Sequence, residues 1–73
     1  MIDYHQRLAS YIRYRLEEGD TCRVFEEMLA LCWDTPRVKD AEVVGFAEKH
    51  GWDVKVQRLA TIGKVADFRR KAR

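Results

Sequence analysis

The period of the hydrophobic pattern changes at Gly51, and this change favours folds that combine helices with strands. Before Gly51, apolar residues recur every three or four positions, as they do on one face of a helix. After it, Trp52, Val54 and Val56 alternate with polar residues, which is the period of a strand with one buried face. Because the chain has only 73 residues, both parts have to share one core. We therefore predict a single globular domain over residues 1–73, of the α+β class.

The first part of the chain predicts a helix over residues 3–18. Tyr4, Leu8, Ile12 and Leu16 are four residues apart and form one apolar face. Gly19 follows, and glycine is typical just beyond the end of a helix.

A second helix is predicted to begin at Asp20 or Thr21, since both residue types cap helix N-termini well. It carries apolar residues from Val24 to Trp33. The stretch "MLALCW" within it is apolar on every side, which is typical of a helix that is central to the core or covered by a partner.

The third helix is predicted to end at about His50. Pro36 is tolerated in a first helical turn after Thr35, and Asp40 is an alternative cap. Gly45 inside this helix costs about 1 kcal/mol relative to alanine, so it predicts close packing against another element.

Beyond Gly51, two alternating segments predict a hairpin whose turn includes Gly63. The predicted fold is three helices followed by a C-terminal β-hairpin, which is a winged-helix-like outline. Val56, Leu59 and Ala66 also fit a helical period, so an all-α four-helix domain is the alternative. The β-branched residues of this segment favour the hairpin.

Charge is distributed unevenly along the chain and gives the main functional signal. Residues 1–51 contain seven basic and ten acidic residues, for a net charge of −3, whereas residues 52–73 contain seven basic and two acidic ones, for +5. A basic arm covers about residues 69–73. Clustered Lys and Arg neutralise phosphates, so we expect an accessory or regulatory factor that contacts the backbone of DNA or RNA. The expected contact residues are Lys55, Arg58, Lys64, Arg69, Arg70, Lys71 and Arg73.

The alternative is a protein–protein interaction module, either a homodimer or an inhibitor or adaptor of a larger partner. Tyr14 lies off the main apolar face of the first helix, and Leu31 and Trp33 belong to the all-apolar stretch. Tyrosine and tryptophan are enriched among the residues that anchor interfaces.

The sequence does not indicate an enzyme, a metal site or a cofactor. Its four glycines are scattered rather than grouped into a phosphate-binding loop. Cys22 and Cys32 lack the paired spacing of a zinc site, and we expect them to be free thiols. No apolar run approaches the roughly 20 residues of a membrane helix. We therefore expect a non-enzymatic protein of the cytoplasm.

Overall fold

A computed structural model describes residues 3–71, which form three helices and three strands. Three helices pack against a three-stranded antiparallel sheet, and strand β3 lies in its centre, in the order β1-β3-β2. The elements are α1 (Tyr4–Glu18), β1 (Thr21–Phe25), α2 (Glu26–Trp33), α3 (Asp40–Lys49), β2 (Trp52–Leu59) and β3 (Gly63–Arg70).

Helix α1 confirms the prediction for residues 3–18. The side chain of Asp3 caps it by accepting the N–H of Gln6 at 3.1 Å, and Gly19 follows its last turn. Of the face predicted to be apolar, Leu8, Ile12 and Leu16 lie in the core, whereas Tyr4 is exposed.

The prediction of three helices followed by a two-stranded hairpin is wrong, because residues 21–25 form a strand. Cys22 and Val24 are buried while their neighbours in β1 are exposed, which is the alternation of a half-buried strand. They lie opposite Phe68 and Ala66 of β3. Pairing with β3 satisfies the backbone of this segment and places both side chains in the core. Helix α2 consequently begins only at Glu26.

The all-α alternative is wrong as well, since β2 and β3 form an antiparallel hairpin. Gly63 has a φ of +81° at its turn, as the sequence predicts. A Cβ at this position would lie 3.1 Å from the carboxylate of Glu26, which accepts the N–H of Lys64.

Helix α3 starts later than Pro36, and Asp40 is its first residue rather than its cap. Gly51 follows its end with a φ of +77°. Gly45 does not serve close packing as predicted, because a Cβ built there meets no atom within 4 Å.

The core lies between the helices and the inner face of the sheet. It is centred on side chains without solvent exposure, among them Ile12, Val43 and Phe68. The alternating residues form the outer face of the sheet, which consists mainly of polar side chains, and Val65 is its fully buried apolar member. Among the helices of residues 3–71, none has the length and apolar character needed to cross a membrane.

Candidate nucleic-acid interface

The β2–β3 hairpin carries five of the seven predicted contact residues. Its register places Lys55 opposite Asp67, Arg58 opposite Lys64, and Arg69 opposite Asp53. Of the other two, Lys71 directly follows β3 and Arg73 lies outside the described residues. The predicted basic arm is therefore partly strand, because Arg70 still belongs to β3.

Strand alternation divides these residues between the two faces of the sheet. Lys55 and Arg69 lie on the outer face, because their side chains alternate with that of Phe68, which is buried on the inner face. Arg58, Lys64 and Arg70 belong to the other alternation, on the side of the helices, where Lys64 is partly buried and Arg58 and Arg70 are exposed. The basic residues therefore do not form one continuous surface.

Each of the three basic residues on the side of the helices has an acidic partner from the first part of the chain. Arg58 lies 3.7 Å from Glu26, and Arg70 lies 3.3 Å from Asp20. The ammonium group of Lys64 contacts Asp40 and also donates to the backbone carbonyl of Val38. These pairs compensate part of the charge asymmetry between the two parts of the chain. Lys55, Arg69 and Lys71 are not in these pairs.

A row of polar side chains crosses the outer face from β1 through β3 to β2. Arg23 donates two hydrogen bonds to Asp67, at 2.7 and 3.1 Å, and Gln57 donates a third at 3.1 Å. The hydrogen bond from Arg23 is the main cause of a lowered pKa of Asp67, which outweighs the opposing effect of burial. Asp67 is therefore ionised, and the guanidinium group of Arg23 neutralises its charge. This ion pair holds the side chain of Arg23 between β1 and β3.

The outer face forms a shallow depression of about 330 Å³ that brings together Arg23, Lys55 and Arg69. Arg23 was not among the predicted contact residues, because residues 21–25 were assigned to a helix. The alternation of polar and apolar residues in "TCRVF" is the signal that identifies it. This face carries three basic side chains and two carboxylates, those of Asp53 and Asp67, so positive charges are in excess.

The residues of the alternative protein interface differ in their exposure to solvent. Tyr14 and Leu31 are 57% and 50% exposed, as a binding surface requires. Trp33 is instead partly buried against the core, with its ring 5.5 Å from that of Phe46. Leu31 and Trp33 are two residues apart on α2 and therefore point in nearly opposite directions.

The two cysteines are free, and burial raises the pKa of both thiols. Cys32 donates to the carbonyl of Tyr4 at 3.7 Å, which connects the end of α2 to the start of α1. Comparison of the chain with protein-family models, curated proteins and solved structures finds no significant match.

Proposed function

We propose that the protein is a non-enzymatic module that binds the phosphate backbone of nucleic acid through the outer face of its sheet. The observation that carries this proposal is the polar outer face of the sheet, on which Arg23, Lys55 and Arg69 lie side by side. Guanidinium and ammonium groups on such a surface contact phosphates without reading bases. Lys71 extends the same basic surface beyond β3. Because Arg23 is paired with Asp67, the three phosphate contacts are assigned to Lys55, Arg69 and Lys71.

The charge of helix α3 supports backbone binding rather than sequence reading by a helix. Its exposed residues include Asp40, Glu42 and Glu48, which would repel phosphates in a groove. The raised pKa of both thiols supports the non-enzymatic part of the proposal, because a protonated thiol is a poor nucleophile. A cytoplasmic location belongs to the same proposal, since free thiols persist in a reducing compartment.

The salt dependence of binding tests this function. With about three phosphate contacts, the affinity for a mixed-sequence DNA duplex is expected to fall about 40-fold between roughly 50 and 200 mM salt. Fluorescence anisotropy with a labelled duplex measures this slope, and a labelled single-stranded RNA of mixed sequence serves for comparison. Absence of binding to both probes at the lower salt concentration, or an affinity that salt does not change, would refute the proposal.

A second candidate function is self-association through α1 and α2. It is favoured by exposed apolar side chains on these two helices, including Tyr11, Tyr14, Met28 and Leu31. Sedimentation equilibrium at micromolar concentration is expected to show a dimer that Leu31→Asp dissociates, because an unpaired charge at an apolar contact is costly. A monomer at all concentrations contradicts self-association and leaves the nucleic-acid proposal unaffected.

A further inference from the structure

An open groove of about 630 Å³ separates α1 from α3 on the side of the molecule that bears the helices. This volume lies in the range of small-molecule sites, which are concave and combine apolar surface with a few polar groups. The groove shares no lining residue with the depression on the outer face of the sheet. The proposed nucleic-acid interface therefore does not account for this groove.

The floor of the groove is a row of four aromatic and imidazole rings. The His5 and Trp33 rings have centroids 4.6 Å apart, Trp33 and Phe46 are 5.5 Å apart, and Phe46 and His50 are 4.8 Å apart. All four residues line the groove. Such rings are the groups on which nucleobases and other planar ligands stack.

Gly45 keeps one wall of the groove open. It occupies the middle of α3, where glycine is about 1 kcal/mol less favourable than alanine. Neither a positive φ nor a close neighbour requires it, since a Cβ there would meet no atom within 4 Å. The missing side chain therefore leaves space for an occupant from outside the domain.

Charge is polarised along the groove. Arg13 and Lys49 lie at the His50 end, where their charges add to the effect of burial in lowering the pKa of His50. Asp3 and Glu42 precede His5 and Phe46 on their helices and line the opposite end. The groove thus offers cations at one end, carboxylate acceptors at the other, and rings between them.

We propose that this groove binds a nucleoside monophosphate, with its base on the rings of Trp33 and His5 and its phosphate on Arg13 and Lys49. The amino or hydroxyl groups of the nucleoside donate to the carboxylate of Glu42. From Glu42 to Lys49 the helix rises about 10 Å, which suits one nucleotide rather than a polymer. This site is separate from the outer face of the sheet, so either proposal stands without the other.

Isothermal titration of the full chain with AMP, adenosine and inorganic phosphate tests the proposal. AMP is expected to bind saturably with 1:1 stoichiometry. Its affinity is expected to be at least about tenfold higher than that of adenosine or of inorganic phosphate, because stacking and the charge contact act together. Indole-3-acetate, an aromatic carboxylate, distinguishes a nucleotide site from a general site for aromatic anions. Lack of AMP binding, equal affinity for AMP and adenosine, or tighter binding of indole-3-acetate would overturn the proposal.

Variants of two adjacent residues locate the binding site. Gly45→Met fills the groove and is expected to abolish AMP binding, while Val44→Met changes an exposed residue that does not line the groove and leaves it intact. Methionine and alanine favour helix over glycine, so Gly45→Met remains folded and Gly45→Ala unfolds at a higher temperature. The double variant Arg13→Gln/Lys49→Gln is expected to weaken AMP binding about tenfold or more and to leave adenosine binding unchanged. Undiminished AMP binding by folded Gly45→Met would refute this site.

Discussion

Truncation of Phe68 to alanine is expected to lower the free energy of unfolding by about 3–5 kcal/mol. Phe68 has no solvent exposure and lies in the central strand β3. Its ring makes edge-to-face contacts with those of Phe46 and Trp52, both at 6.1 Å between centroids. A domain of this size has a total stability of roughly 4–11 kcal/mol, so this loss removes a large fraction of it.

Urea unfolding followed by circular dichroism measures this loss. Tyr14→Ala is the matched control, because it removes an aromatic ring from a half-exposed position and is expected to change stability by no more than about 0.5 kcal/mol. Phe68→Leu leaves a smaller cavity and is expected to remain folded with an intermediate stability. Similar losses for Phe68→Ala and Tyr14→Ala would contradict the packing of the hairpin on the helices.

Replacement of Lys55, Arg69 and Lys71 by glutamine is expected to reduce affinity for duplex DNA about 500-fold at roughly 0.1 M salt. Each phosphate contact contributes about eightfold under these conditions, because each releases a condensed counterion from the DNA. The salt dependence of the remaining binding is expected to be nearly flat. Anisotropy titrations at several salt concentrations measure both effects in one experiment.

Two control variants carry the same change of three charges. Neutralising Arg7, Arg15 and Lys39 alters residues outside the sheet and is expected to leave the affinity nearly unchanged. Neutralising Arg58, Lys64 and Arg70 instead releases three acidic partners, so it is expected to affect stability more than binding. Equal losses in all three variants would show that net charge alone, rather than the outer face, governs binding.

The first helix could be predicted because it carries a single period, and the hairpin because its β-branched residues favoured one of the two periods that it fits. Leu8, Ile12 and Leu16 fit only a helical face, and Asp3 and Gly19 mark its ends. Strand β1 could not be assigned in the same way, since Val24 fits both a strand and the helical pattern that continues through Leu29. Its conformation is decided by β3, whose pairing residues lie about 40 positions later in the sequence.

The candidate interface was only partly predictable for a related reason. Composition identified Lys55 and Arg69 as basic residues, and the register of the hairpin places them on one face. Whether a basic residue faces solvent or an acidic partner depends on contacts distant in sequence, such as Arg70 with Asp20. The groove between α1 and α3 left no local signal at all, because His5, Trp33 and Phe46 come from three different helices.

The order of strands in the sheet has a consequence for synthesis of the protein on the ribosome. Both β1 and β2 precede β3 in the chain, yet each pairs only with β3. Until residues 63–70 have emerged, the nascent chain has no partner for either strand, and the apolar side chains of β1 remain uncovered. The contacts between β1 and β3, such as Cys22 with Phe68, join positions that are distant in sequence and therefore form late. The sheet can therefore form only after β3 has been translated, rather than strand by strand during synthesis.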